Sequence, residues 1–228
     1  MPDTALIIMA RYPEAGKTKT RLARTLGAQA TADLYRAFLT DLARRFAGQP
    51  YALHWAYTPA GVAYHQFVAS LAPEHAQAMT CFPQRGDDFN SRLLAAFQWT
   101  ATQGFARTVL IGSDSPHIPP ALVESAAAAL DEVDVVLGPA DDGGYYLLAI
   151  RKPYDVFSGI PMSTEVVARM TIEAALRQGL TVRLLSHLFD VDEWPDLERL
   201  AELLQQDSTL APATAAYLAH LAQIRSFA

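Results

Sequence analysis

The stretch from Arg11 to Arg21 reads Arg11-Tyr12-Pro13-Glu14-Ala15-Gly16-Lys17-Thr18-Lys19-Thr20-Arg21. It places four cations within eleven residues, beside a glycine and two threonine hydroxyls. Those residue types suit phosphate. Backbone N–H groups near a glycine can form a concave anion nest. Lysine adds point charge, and arginine adds a two-pronged donor matched to phosphate oxygens. Gly16-Lys17-Thr18 mimics the end of a P-loop, but that motif needs a glycine where Arg11 stands. The P-loop reading therefore fails, and a solvated basic loop is the plain alternative.

Three acidic segments could face the same ligand. Ser113-Asp114-Ser115-Pro116 sets an acid between hydroxyls just after an apolar run. A hard cation such as Mg²⁺ takes one or two carboxylates and completes its shell with phosphate oxygens and water. The same residues could instead cap a helix starting near Pro119. Asp141-Asp142-Gly143-Gly144-Tyr145-Tyr146 is strong turn chemistry. Its functional reading lets the backbone of Gly143 and Gly144 approach a ligand, with Asp142 facing it. The two tyrosines point to opposite faces of a strand, so one fills the core and the other, Tyr145 or Tyr146, is free to line a pocket. In Phe189-Asp190-Val191-Asp192, alternation puts Asp190 and Asp192 on one side. Either could be a second metal ligand, and Asp192 is also placed to cap the next helix.

The elements that must position these groups follow from periodicity. Ala5 to Ala10 (ALIIMA) and Thr108 to Gly112 (TVLIG) are continuous apolar runs, the signature of strands buried on both faces. After the first comes a loop, expected from Arg11 to about Arg24, and then a helix over Ala28 to Ala47, ended by Gly48 and Pro50. Strands are expected at Tyr51–Tyr57, Ala78–Phe82, Val133–Leu137, Gly144–Ile150 and Thr181–Leu185. Helices are expected at Val62–Leu71, Phe89–Gln103, Pro119–Leu130, Ser163–Gln178, Pro195–Gln206 and Pro212–Phe227. The gap between the Val133 and Gly144 strands is too short for a crossover helix, so that pair is antiparallel or offset. The alternation predicts one α/β domain, a three-layer α/β/α sandwich on a mixed, mostly parallel sheet. Ligands of such sheets bind beyond the carboxyl ends of the strands, where all four segments fall.

Composition narrows the partners. Of 228 residues 51% are apolar and 18% charged, with net charge -6. A nucleic-acid binder would carry a basic stripe; here Lys17 to Arg24 is the densest basic stretch and is short. No nucleic-acid partner is expected. No window reaches ~18 apolar residues without a charge, so no membrane span is expected either. A lone cysteine, Cys81, in an apolar run reads as a small buried hydrophobe. With no internal disulfide possible, a reducing cytoplasm is the expected setting. Oligomeric state, monomer or homodimer, is open.

Taken in order, the Pro13-x-x-Gly16-x-x-Lys19-Thr20-Arg21-Leu22 loop, Gly112-Ser113-Asp114-Ser115-Pro116, Gly138-Pro139-Ala140-x-Asp142-Gly143-Gly144-Tyr145-Tyr146-Leu147 and Asp190-Val191-Asp192 resemble the bacterial DUF2064 group, the radical-SAM/selenodomain-associated transferases 1. These are placed in the glycosyltransferase A superfamily of nucleotide-diphospho-sugar transferases. The resemblance spans about Ala5 to Leu204. It implies the nucleotide-diphospho-sugar transferase fold and a nucleotide held by Ala10, Arg11, Pro13, Gly16, Lys19, Arg21, Gln84, Asp88, Arg92, Ser113 and Asp114. It also implies Mg²⁺ or Mn²⁺ on Asp114 with Asp190 or Asp192, and an acceptor or sugar pocket around Asp142, Gly143, Gly144 and Tyr145.

The sequence departs from the family pattern in places. Asn90 stands where glycine is usual, a position at which asparagine would tolerate a left-handed backbone. Arg11 stands for a frequent lysine, Glu193 for a frequent threonine, and Met162 stands in a region where the family commonly has an aromatic.

Two reactions are implied: glycosyl transfer from a nucleotide-diphospho-sugar, with Lys19 and Arg21 stabilising charge and Asp142 orienting or deprotonating the acceptor, or nucleotidyl transfer from a nucleoside triphosphate to a small phosphorylated acceptor. A non-catalytic nucleotide-binding protein is the third possibility.

Overall fold

The computed structural model describes residues 2–226. Seven strands form one sheet: β1 (Thr4–Arg11), β2 (Ala52–Thr58), β3 (Met79–Pro83), β4 (Arg107–Ile111), β5 (Val135–Pro139), β6 (Tyr145–Ile150) and β7 (Val182–Leu184), in the spatial order β3-β2-β1-β4-β6-β5-β7. All neighbours are parallel except β6, which is antiparallel to both β4 and β5. The tight link between β5 and β6 has this consequence: a five-residue connection (140–144) can reverse the chain but cannot carry it back to a parallel start.

Strand side chains alternate between two cores, as the pleat requires. Leu6, Ile8, Val109, Ile111 and Leu147 face α1 (Thr20–Leu26), α2 (Ala28–Phe46), α3 (Tyr64–Leu71), α5 (Pro120–Ala129), α7 (Trp194–Gln206) and α8 (Pro212–Ser226). Ile7, Met9, Leu110, Leu148 and Ile150 face α4 (Phe89–Thr102) and α6 (Val167–Arg177). Burial on both faces explains the unbroken apolar runs and gives the three layers.

Several boundaries differ from the sequence reading. The basic segment is not loop throughout: α1 begins at Thr20, so its last residues, from Thr20 to Arg24, are helical, anchored by buried Leu22 and Leu26. The helix expected from Ser163 starts at Val167, because Ser163 has φ 63, a left-handed backbone outside the helical basin. Asn90 needs no left-handed backbone. It lies in the first turn of α4 and donates to the Ile160 carbonyl at 2.9 Å. Phe227, the expected end of the last helix, lies outside the described residues.

Candidate active site

Three of the four segments, the basic loop, Ser113–Pro116 and Phe189–Asp192, meet at the carboxyl ends of β1 and β4, where β1 continues to β2 and β3 on one side and β4 lies on the other. This is the topological switch point at which open α/β sheets bind ligands. A cleft of about 310 Å³ opens there, and its wall includes Ala10, Arg11, Lys19, Gln84, Arg92 and Asp114.

Lys19 is its centre. The residue ends the loop with φ 44 and ψ 54, a left-handed conformation that turns the chain into α1. Its side chain is almost fully buried and runs to an ammonium 5.8 and 5.7 Å from the Tyr35 and Phe38 ring centres. The ammonium donates to the Val191 carbonyl at 2.6 Å and pairs with Asp114 Oδ1 at 2.6 Å and Asp192 Oδ1 at 3.2 Å. Burial would lower its pKa, but Asp114 and Asp192 outweigh that and raise it. The Val191 N–H in turn donates to the Asp114 carbonyl at 2.9 Å. Two half-exposed carboxylates thus converge on one cation.

The neighbours of Asp114 fix it. Ser113 is buried and shares a 2.6 Å hydrogen bond with the Tyr35 hydroxyl, which accepts from the Arg11 N–H at 3.2 Å. Ser115 donates to the Phe189 carbonyl at 3.1 Å and to Asp190 Oδ1. Asp190 and Asp192 therefore have different tasks. Asp190 turns inward on Ser115, and burial, with Asp114 adding to it, pushes its carboxyl up to about 7. Asp192 turns to Lys19. The helix cap expected of Asp192 is made by Glu193, in a reciprocal capping box with Asp196, and α5 starts at Pro120 without a side-chain cap from Asp114 or Ser115.

The basic loop is tied to itself. Thr18 Oγ1 donates to the Tyr12 carbonyl and accepts from the Glu14 N–H, both at 3.2 Å. Pro13 is buried, and Gly16 takes φ 76, a conformation that favours glycine. Lys17 is exposed and pairs with Glu14 at 2.8 Å. Arg21 is exposed, 3.7 Å from Glu193. A second cavity shares Arg11, Lys19 and Asp192 with the first and adds Arg21.

On the β3–α4 loop, the Gln84 side-chain nitrogen donates to the Ala56 carbonyl at 2.9 Å and to Ala10 at 3.2 Å, spanning the ends of β2 and β1. Asp88 caps α4 by accepting from the Ser91 N–H at 2.7 Å, and Arg92 Nε donates to Gly86 at 3.0 Å.

The expected acceptor segment is not brought to the cleft. Asp142 Oδ1 accepts the Gly144 N–H at 2.8 Å, a turn bond of the kind its sequence favours. Gly143 has φ 86, and a Cβ there would sit 2.1 Å from the Glu165 carbonyl oxygen, so this glycine serves close packing against the segment before α6. Tyr145 packs into the α4/α6 core and Tyr146 into the other, its hydroxyl donating to Ser186 at 2.9 Å. Neither tyrosine is among the groups that wall the cleft. His117 is buried under the Phe189 ring, 4.3 Å between centres, and stands outside the cleft wall.

Two aromatic groups in the cleft were not among the residues expected there, Tyr35 and Phe89. Phe89, the first residue of α4, stands 47% exposed on its rim. An aromatic directly after a capping aspartate was the available signal. A larger cavity of about 580 Å³ between α7 and α8 is lined mainly by leucine and alanine and holds none of these groups. Among the described residues, no cluster of three or more His, Cys, Asp or Glu side chains could hold a metal ion by itself. Cys81 is partly buried against the core, and burial raises its thiol to about 12. No helix of the structure is long and apolar enough to cross a membrane.

Comparison with known proteins agrees with this architecture. A structure from Desulfovibrio desulfuricans G20, provisionally named a nucleotide-diphospho-sugar transferase, is 36% identical, covers 100% of this chain and 99% of its own, and superposes with a TM-score of 0.88. The fold extends to a cytidylyltransferase from Leptospira borgpetersenii (13% identity, 99% of this chain and 96% of that one, TM-score 0.58). It also extends to a 4-diphosphocytidyl-2C-methyl-D-erythritol synthase from Anaerococcus prevotii (8% identity, 89% and 97%, TM-score 0.59). No curated protein matches by sequence. The family model described as "Uncharacterized protein conserved in bacteria (DUF2064)" matches residues 42–164, more than half of the chain, and the protein belongs to that family.

Proposed function

We propose that this protein is a nucleotide-dependent transferase of the glycosyltransferase A type, which uses a nucleotide-diphospho-sugar and a divalent metal. The observation that carries this reading is the convergence of Asp114 and Asp192 on one cation at the mouth of the cleft, beside the basic loop. Two carboxylates that reach one cation suit Mg²⁺ or Mn²⁺ as hard oxygen donors and leave the rest of the shell to phosphate oxygens and water. When bound, such an ion neutralises a leaving diphosphate. Lys19, released from its carboxylates, is within the same wall to meet the phosphates, and Arg11 and Arg21 add charge on the adjoining cavity. Gln84 and Arg92 line the far side of the cleft, where the nucleoside would lie.

A second reading has one observation in its favour. Among the described residues the carboxylates lining the cleft are Asp114 and Asp192, and Asp142 is bound in its own turn. The site thus offers no separate general base for a neutral hydroxyl. An acceptor that is already anionic, such as a phosphate monoester, needs none. That favours nucleotidyl transfer from a nucleoside triphosphate.

Both readings are tested together by thermal shift with nucleoside triphosphates and nucleotide-sugars, with Mg²⁺ or Mn²⁺, followed by product analysis. Ligand at ~100 times its Kd stabilises by ~2.7 kcal/mol. Hydrolysis or transfer of the sugar supports the first reading, and metal-dependent pyrophosphate release supports the second. No shift with any nucleotide and metal sinks both.

A further inference from the structure

Phe89 and Gln84 together specify more than a generic nucleotide. Phe89 is the one aromatic among the three large hydrophobic residues that stand exposed in the described residues, the others being Leu176 and Leu184. It lies on the cleft rim with Gln84 and Arg92. A half-exposed ring beside a polar cleft is a stacking surface in want of a planar partner. Gln84 supplies the polar edge. Its side-chain nitrogen has two N–H groups, and both are engaged by the carbonyls of Ala10 and Ala56. The amide cannot turn over without facing its oxygen toward those two carbonyl oxygens. Among the described residues Oε1 receives no hydrogen bond, so Gln84, which lines the cleft, keeps an acceptor free and no side-chain donor.

We propose that the cleft takes a nucleobase bearing an exocyclic amine, stacked on the Phe89 ring with the amine donating to Gln84 Oε1. This rests on the nucleotide-dependent reading above and adds the class of base to it. Cytosine has an amino group where uracil has an oxo group. In the same pose uracil would set its O4 against the Gln84 oxygen, and it could pair there only by shifting the ring to bring N3–H into that place. A site built on a fixed hydrogen-bonding group discriminates strongly against an analogue that cannot satisfy it.

The test is equilibrium titration of the whole chain with CDP, UDP and inorganic pyrophosphate, each with Mn²⁺. CDP is expected to bind at least about tenfold tighter than UDP. Phe89→Ala is expected to weaken CDP about tenfold, the size of one base–aromatic stack, while Phe89→Tyr keeps CDP affinity and pyrophosphate binding is unchanged in both variants. The half-exposed position makes misfolding a minor concern, and unchanged pyrophosphate binding checks it. Equal affinity for CDP and UDP, or CDP binding indifferent to Phe89→Ala, overturns this inference and leaves the transferase reading standing. Failure of the native protein to bind any nucleotide overturns both.

Discussion

Replacing Lys19 by methionine separates the roles of its ammonium and its stem. Methionine keeps an unbranched apolar chain against Tyr35 and Phe38 and deletes the charge that Asp114, Asp192 and the Val191 carbonyl share. The Val191 carbonyl loses a charged donor, a loss of ~1.5–3 kcal/mol for such bonds. The two carboxylates are 41% and 44% exposed, so they rehydrate and their ion pairs add little beyond that. A net loss of ~2 kcal/mol lowers Tm by ~4–8 °C at this chain length. The variant also leaves the carboxylates without a resident cation. Mn²⁺ no longer has to displace an ammonium and binds the free variant more tightly than the free native protein. At ~100 times Kd it returns ~2.7 kcal/mol, enough to cancel the defect. The assay is differential scanning fluorimetry in chelator and in graded Mn²⁺, with nucleotide turnover measured beside it. Turnover should fall even where Tm recovers, because the charge proposed to meet the phosphates is gone. If the variant matches the native Tm in chelator, or gains no more from Mn²⁺ than the native protein does, Lys19 and the metal do not share a site.

Asp114→Asn should reduce metal affinity by more than ~10–100-fold, the scale found for disturbing a ligand's support, with little change in Tm; undiminished metal-dependent turnover would remove Asp114 from the site. Asp190 is predicted to make stability pH-dependent. Its folded pKa of about 7 lies above the ordinary carboxylate value, so the folded state holds the proton and this contribution is lost as pH rises from ~4 through 7. Asp190→Asn, compared with the native protein in chelator, should gain relative stability over that window, and a parallel pair of Tm–pH curves would refute the assignment. Gly143→Ala should cost more than ~2 kcal/mol, because a left-handed backbone and a 2.1 Å approach to Glu165 combine, readable by denaturant titration. By contrast Asp142→Ala should remove one turn bond, ~0.5–1.5 kcal/mol, and leave turnover within about twofold; a loss like that of Asp114→Asn would restore Asp142 to the chemistry.

Much of this was legible before any coordinates. The runs ALIIMA and TVLIG announce strands buried on both faces, and the short gap before Tyr145 announces the reversal at β6, since chain length alone forbids a crossover there. Helix α1 was missed because its seven residues carry only two buried leucines among cations and threonines, too few to set a period. The choice between Asp190 and Asp192 was not legible either. Strand alternation puts both on one side, and the hydroxyl of Ser115, 75 residues away, draws one inward. Asp142 misled for a related reason. The dipeptide that makes a tight turn is the same one that lets a backbone approach a ligand, and only the position of Glu165 distinguishes them.

The peptide group of Val191 is clamped from both sides, its N–H by the Asp114 carbonyl and its oxygen by an ammonium 172 residues earlier in the chain. Loop closure over such separations comes late in folding, after local contacts have formed. The cation site therefore exists only when the segment entering α7 has docked across the ends of β1 and β4. A chain stopped before residue 186 would carry every strand of the sheet and no second carboxylate. Ligand and metal would then act as a latch on the segment from residue 186 onward: by mass action, occupancy shifts this segment toward its docked state, and slow amide hydrogen exchange there becomes a report on the site itself.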